Sequence, residues 1–253
     1  MSSQLVNENE KVANFLLELS SPIRIQILKL LSDGLEYRNA HISKHLKISP
    51  QESLRHLQRL QENNLIELVE RQYKISPIGT LVLEGVFPML EFLIKHQEFF
   101  RNHDLTVLPV SFTKRFSEIA DNESIVIEGP TEIIALAEQI IEQAETFCYD
   151  IAKLVTRSTN QLMAQKKDFD VKRIEEKGNK PKVARIPDIQ SETRVIEHID
   201  IAMVISEKEA YIRFPQKSSG ELSLQHALYS KNLNFVNFCK DLFFYFWEQS
   251  IAK

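Results

Sequence analysis

The stretch from Ile48 to Leu60 constrains this chain more than any other. Ser49 is suited to cap a helix, Pro50 fits the first helical position because its missing N–H has no partner to lose there, and Glu52 stands where it completes a capping box. At about 100° per residue, Leu57, Leu60 and the small Ser53 fall on one face with Leu54 at its flank, while Gln51, Glu52, Arg55 and Arg59 point the other way. One face is expected to pack and the other to be free to touch a partner.

The flanks supply the context. Val12 to Leu19 reads as a short apolar helix. Pro22 opens a second through Ile23, Ile27, Leu28, Leu30 and Leu31, which Asp33-Gly34 stops. A third runs from about Asn39 to Leu46, with Ile42 and Leu46 inward and Lys44 and His45 outward, and Lys47-Ile48 turns into the capped helix. Helix, turn, capped helix is the helix-turn-helix order. Leu65 to Val69 and Gln72 to Ile75 are β-prone runs separated by Glu70-Arg71, which predicts a tight hairpin with Arg71 at its tip and Lys74 close behind. Ser76-Pro77 then starts a helix with a wide apolar stripe of Leu81, Val82, Gly85, Val86, Met89, Leu90 and Leu93. Pro88 either kinks it or starts another helix.

From Leu105 the pattern alternates between strand and helix. Ser124 to Ile127, an amphipathic helix over Thr131 to Ala144, and Thr146 to Ile151 read as a β-α-β unit with parallel pairing. A polar helix is expected near Ser158 to Lys167. Strands are expected at Val171 to Ile174, Arg194 to Ile196, Ile199 to Ile205 and Ala210 to Phe214, with an edge strand at Leu222 to Tyr229. A closing helix from about Leu233 to Ala252 is apolar on nearly every side, which predicts burial on several sides or an oligomer contact. The expected fold class is α+β overall. It divides into a winged helix-turn-helix domain at 1–80, connecting and dimerisation helices at 81–104, and an α/β domain at 105–253.

Composition excludes several classes. The 253 residues are 43% hydrophobic, enough for a real core. The net charge of −4 argues against indiscriminate nucleic-acid coating, yet Ser21 to Thr80 carries nine basic and six acidic residues, a local excess of three positive charges. Cys148 and Cys239 lie far apart in apolar runs and are expected to be buried free thiols. No run reaches the ~20 apolar residues of a membrane span and the amino terminus lacks a signal pattern, so a cytoplasmic protein with no membrane partner is expected.

Catalytic signatures are absent as well. The seven histidines form no tight ligand pair; His41 and His45, one turn apart, are expected to face solvent or phosphate rather than a metal. The sequence has no glycine-rich phosphate loop and no nucleophile elbow. His45-Leu46-Lys47 to Glu52 is a near miss of the phospholipase D signature His-x-Lys-x4-Asp, ending in the wrong acid. His103-Asp104 is read as a cap or turn, and Lys177 to Arg185 as a solvated basic loop. No catalytic residue, metal or cofactor is expected.

Pro22-Ile23-Arg24-Ile25-Gln26-Ile27-Leu28-Lys29-Leu30-Leu31, Arg55-His56-Leu57-Gln58-Arg59-Leu60, Asn64-Leu65-Ile66 and Tyr73-Lys74-Ile75-Ser76-Pro77-Ile78-Gly79 together resemble winged-helix regulators of the ArsR and MarR kind. The second half, through His96 to Pro109 and Lys240 to Phe246, resembles the carboxy-terminal domain of archaeal regulators related to the methanogenesis regulatory proteins, whose fold is similar to the phospholipase-D-like domain of the sugar-responsive TrmB regulators. The resemblance implies an archaeal, sequence-specific transcription regulator that is not an enzyme. Its partners are double-stranded DNA, a second copy in a homodimer, and a small-molecule effector of unnamed kind. The recognition helix 49–63 is expected in the major groove and the wing 65–75 on the backbone. Expected DNA contacts are Lys44, Ser49, Gln51, Arg55, His56, Arg59, Arg71 and Lys74, because arginine reads guanine bidentately and cations grip phosphate. The expected dimer face is Leu81, Val82, Val86, Met89, Leu90 and Leu93. The alternative is a constitutive DNA-binding or protein-interaction winged-helix factor without an effector.

Overall fold

Caps and turns set the boundaries of the amino-terminal elements. The computed structural model describes residues 2–120, 123–153, 156–166, 169–178 and 191–252. The chain divides into two compact units, residues 1–90 and 91–253. The first begins with α1 (Ser2–Leu19), α2 (Pro22–Leu31) and α3 (Asn39–Leu46). Lys47, in the left-handed region at φ 56°, ends α3: its backbone N–H donates to the carbonyls of Lys44 and Ser43, and the chain turns into α4 (Pro50–Glu62). Ile27, Leu28, Leu31, Ile42, Leu57 and Leu60 are fully buried in a common core with Leu19, Leu65, Ile66 and Tyr73.

Next comes the hairpin of β1 (Ile66–Val69) and β2 (Gln72–Ile75), antiparallel, with Val69 opposite Gln72 across the two-residue turn. Glu70 and Arg71 have φ of 47° and 67°, the signs a type I′ turn needs, which follow the right-handed twist of the strands even without glycine. Tyr37 adds a bridge to Tyr73 through two backbone hydrogen bonds of 2.9 and 2.7 Å.

α5 (Pro77–Leu81) starts hard against this hairpin. Ser76 caps it, its Oγ accepting from the Gly79 N–H at 3.0 Å and donating to the Asn64 carbonyl at 2.5 Å. A Cβ on Gly79 would lie 2.2 Å from the Leu65 carbonyl oxygen. A π-helical turn (Val82–Val86) then joins α5 to α6 (Phe87–Lys95), and the Phe87 N–H donates to the Val82 carbonyl five residues back. Pro88 has no N–H to offer the Glu84 carbonyl, so the helix is neither stopped nor sharply restarted but widened one turn earlier. In a regular α-helix residues five apart lie about 140° apart; with the wide turn Val82 and Phe87 both enter the core. Val82 was expected on the dimer stripe and is instead 5% exposed. The run Pro77–Lys95 is 19 residues with mean hydropathy 1.6, long and apolar enough by length and composition to cross a membrane, contrary to the expectation that no run qualifies.

The second unit continues through α7 (Gln97–Asn102), α8 (Val110–Lys114) and a 3-10 turn (Phe116–Ile119) to a mixed sheet. Its remaining elements are β3 (Ile125–Glu128), α9 (Pro130–Gln143), β4 (Phe147–Ala152), α10 (Arg157–Gln165), β5 (Asp170–Glu176), β6 (Ser191–Ile196), β7 (Ala202–Ser206), β8 (Ala210–Arg213), β9 (His226–Ser230), α11 (Leu233–Gln249) and β10 (Ile251–Ala252). The strand order is β10-β6-β5-β4-β7-β8-β9-β3. The parallel pairs are β4 with β5 and β5 with β6; all other neighbours are antiparallel. This corrects the expected β-α-β pairing: β3 and β4 point the same way, but β7, β8 and β9 lie between them. β3, not β9, forms the edge. Residues 179–185 of the basic loop lie outside the described residues.

Alternation sorts the sheet's side chains. Cys148, Val171, Val204, Tyr211, Ala227 and Tyr229 meet Ile133, Leu136, Ile140 and Ile141 of α9 and Met163 of α10. On the opposite face Tyr149 stacks on Phe243 of α11 at 5.0 Å between ring centroids. Phe235, Phe238, Leu242, Phe243 and Trp247 of α11 are buried, so its apolar surface is used within its own unit. The last residues expected in this helix leave it to pair with β6 as β10. Both cysteines are free and buried.

Because the clashing Leu65 oxygen is a backbone atom and cannot swing aside, Gly79→Ala is expected to cost about 1–3 kcal/mol, a typical overpacking penalty, measured as a fall in the midpoint of urea unfolding with unchanged slope.

Candidate nucleic-acid interface

The start of α4 is held as the capping pattern predicts: Ser49 Oγ accepts from the Glu52 N–H at 3.1 Å, and Asn39 Nδ2 donates to the Pro50 carbonyl at 3.0 Å. Its buried face is Ser53, His56, Leu57 and Leu60. Its exposed face carries Gln51, Leu54, Arg55 and Gln58, spaced i, i+3, i+4, i+7 along one strip. Leu54 lies on this outer strip, 39% exposed, rather than tucked at the flank of the core.

Of the expected contacts on α4, His56 is buried and Arg59 is exposed but paired. His56 is 8% exposed, carried inward by its place one residue before Leu57, and its Nδ1 has no hydrogen-bond partner among the described residues. Arg59 is committed to Glu18 of α1, donating from Nε to Oε2 at 2.9 Å and from Nη2 to Oε1 at 2.5 Å. Glu18 also lies 3.4 Å from Nε of the buried Arg24, which donates to the backbone carbonyls of Glu18 and Leu17 at 2.5 and 2.9 Å. One buried carboxylate thus ties α1 to α2 and α4, and it holds the Arg59 guanidinium above its ordinary pKa. Sequence reasoning missed Glu18 because its partner on α4 is 41 residues away.

The remaining expected contacts are on the surface. Lys44 is exposed on α3 and Ser49 at the α4 cap. Arg71 is exposed at the hairpin tip, and Lys74 is half-buried, 3.3 Å from Glu67 across the β1–β2 ladder. Arg55 and Arg71 make no ion pair among the described residues. His41, also outward, stacks between Tyr37 at 4.6 Å and His45 at 6.4 Å. The phospholipase-D-like near miss crosses two helices: His45 and Lys47 stand at the end of α3 and Glu52 in the first turn of α4.

In the second unit several buried polar groups are paired internally, while His103 Nε2, Arg213 Nε and His226 Nδ1 have no hydrogen-bond partner among the described residues. Asp150 and Arg173, both buried, meet through Arg173 Nε at 2.9 and 3.0 Å from the carboxylate oxygens, and Arg173 Nη1 donates to Asn160 Oδ1 at 2.7 Å. Burial keeps the Asp150 carboxyl above its ordinary range even so. His103 is buried against Phe99, its ring Nδ1 2.8 Å from the Phe99 carbonyl, while Asp104 accepts from the Thr106 N–H and hydroxyl, an arrangement that turns the chain. His198 bridges Glu176 and Asp200 at 2.8 and 3.1 Å beside a shallow cleft lined by Ile151, Ile174, Ile196 and Phe246. Among the described residues no group of three or more His, Cys, Asp or Glu is arranged to hold a metal ion.

The arsR family of bacterial regulatory proteins matches residues 21–67. No curated protein matches the chain. Among solved structures, the chain is similar to TrmBL2, an archaeal chromatin protein with a novel mode of DNA binding, at 12% identity and TM-score 0.45 over 96% of this chain and 100% of that one. NucT from Helicobacter pylori is similar at 9% identity and TM-score 0.41, over 51% of this chain and 98% of that one. Nuc from Salmonella typhimurium, a phospholipase D family member, is similar at 12% identity and TM-score 0.40, over 51% and 97%.

Burial, then Arg24 and Arg55, lower the His56 pKa below its ordinary 6.5. The folded state therefore holds His56 neutral, and its contribution is complete above that value. As pH falls through 6.5 the unfolded chain takes up the proton first and stability is lost. Urea unfolding is expected to show lower stability at pH 5 than at pH 7, with a smaller difference in His56→Gln.

Proposed function

We propose that this chain, whose residues 21–67 are an arsR-family helix-turn-helix, is a DNA-binding transcription regulator that sets α4 into the major groove. The observation that carries this reading is the strip Gln51, Leu54, Arg55, Gln58, exposed on a helix fixed at its start by the Ser49 cap and near its end by Arg59–Glu18. An α-helix fits the major groove, where arginine pairs with guanine and glutamine with adenine. Arg55 is thus the principal base reader, with Gln51 beside it. Lys44, Ser49, Arg71 and Lys74 lie on the α3 turn and the wing as backbone contacts, where groups grip phosphate without reading sequence. His56 and Arg59 act from behind the helix, fixing its orientation.

The protein acts as a homodimer in this reading. Leu81, Val86, Leu90, Leu93 and Ile94 are 37–73% exposed on the helix that follows the wing, and Val12, Leu16 and Leu17 of α1 are 52–58% exposed. Solvent-facing apolar surface of this extent on a small unit favours a subunit contact. Val82 and Phe87 of the same helix are held in the core of the DNA-binding unit, which favours a protein partner over a lipid one. Two copies placed about one helical turn (~34 Å) apart read a palindrome. The second unit is read as the part that senses a ligand or assembles copies of the chain, and it is assigned no catalytic step.

Mobility-shift titrations at fixed salt test the DNA reading. Arg55→Ala is expected to lose about 1–3 kcal/mol at a selected site and to relax its sequence preference, whereas Arg71→Ala weakens all sequences alike. Unchanged binding by Arg55→Ala rules out α4 as the reader. For the dimer, light scattering is expected to give twice the chain mass for the parent protein and the single mass for Leu90→Asp; a parent protein that stays monomeric at high concentration ends this part of the proposal.

A further inference from the structure

Of the four side chains along the outward strip of α4, three can exchange hydrogen bonds with water and one cannot. Gln51, Arg55 and Gln58 are exposed and polar, and Leu54 stands among them at 39% exposure. The packing face of this helix is complete without it, since Ser53, His56, Leu57 and Leu60 already fill it. We infer that Leu54 is a specificity-determining residue that covers the 5-methyl group of a thymine in the major groove, between base contacts made by Arg55 and Gln51. The inference rests on the DNA reading given above and names what that reading leaves open at the centre of the helix.

The chemistry is selective because the thymine methyl is the apolar group that base edges present in the major groove. Placed against it, Leu54 removes two apolar surfaces from water. Opposite cytosine it finds a C5 hydrogen where the methyl would be, so the apolar contact is lost. The adenine of a reversed pair presents no methyl either, and offers an amino donor for which Leu54 has no acceptor. A polar residue here could not make this distinction by apolar contact, and a buried leucine could not reach the groove. Leu54 satisfies both conditions without any movement of α4. The worth of one buried methyl corresponds to about fourfold in affinity.

Uracil isolates this contact, because it keeps thymine's pairing and hydrogen-bonding edge and lacks only the methyl. The full chain is used to enrich a site from a pool of random DNA duplexes, and each thymine of that site is then replaced in turn by deoxyuridine. The expected result is at least one thymine at which the parent protein loses about fourfold while Leu54→Ala binds both duplexes equally. Leu54→Ala alters an exposed helical position in favour of a better helix former, so it is expected to fold. Parent binding that ignores deoxyuridine at every position, or a Leu54→Ala protein that shows the same loss at the same position, overturns the assignment while leaving DNA binding intact. A pool from which nothing is enriched overturns the DNA reading and the assignment with it.

Discussion

The Glu18 carboxylate receives Arg59 from α4 and lies beside Arg24 from α2, and both arrangements are needed for the helix-turn-helix to be rigid. Arg24 is buried, and a buried guanidinium without an anion costs several kcal/mol, on the order of 3–5 when a partner is removed. Its backbone hydrogen bonds to Leu17 and Glu18 place α1 and α2 in one geometry. The bidentate Arg59 contact adds the far end of α4 to that arrangement, while the Ser49 cap sets the near end. A helix anchored at both ends presents its outer strip in a fixed orientation, which is what reading base edges requires. The same anchoring pairs one of the two arginines of this helix with a carboxylate.

The second unit spends its unusual residues on itself. The buried Asp150–Arg173 pair is closed by Asn160, and the aromatic face of α11 is covered by β4, β7 and β8. These are features of a packed scaffold in which polar groups fix the register of a sheet with mixed directions. The antiparallel run β4-β7-β8-β9-β3 lets a helix cross from β3 to β4 over intervening strands, and α9 lies on those strands as the shared lid.

Local chemistry made the first unit legible. The cap at Ser49-Pro50, the stop at Asp33-Gly34 and the two-residue turn at Glu70-Arg71 act within a few residues, so the sequence carries them openly, and from α2 to the wing the boundaries agree with the structure to within a residue or two, whereas α1 begins at Ser2, ten residues ahead of the expected Val12. What remained hidden depends on distance or on phase. No local feature marks Arg59 as paired, because its partner is on α1, and His56 is buried because the packed face of α4 is centred between His56 and Leu57 rather than on Leu57. Sheet order was likewise not readable: β3-α9-β4 has the grammar of neighbouring parallel strands, and nothing local reports that three later strands insert between them. Leu54 was visible as an oddity among polar neighbours, but only its exposure distinguishes a reader from a core residue.

The wide turn at Val82–Val86 changes how the helix after the wing must be counted. One additional residue in a single turn shifts the phase of every position beyond it, so Leu81 and Val82 belong to one heptad frame and Leu90, Leu93 and Ile94 to another. A continuous knobs-into-holes seam needs one frame throughout. In the dimer proposed above, contact through this helix is confined to short patches on either side of the turn, a crossing of two helices at a point rather than a zipper along their length.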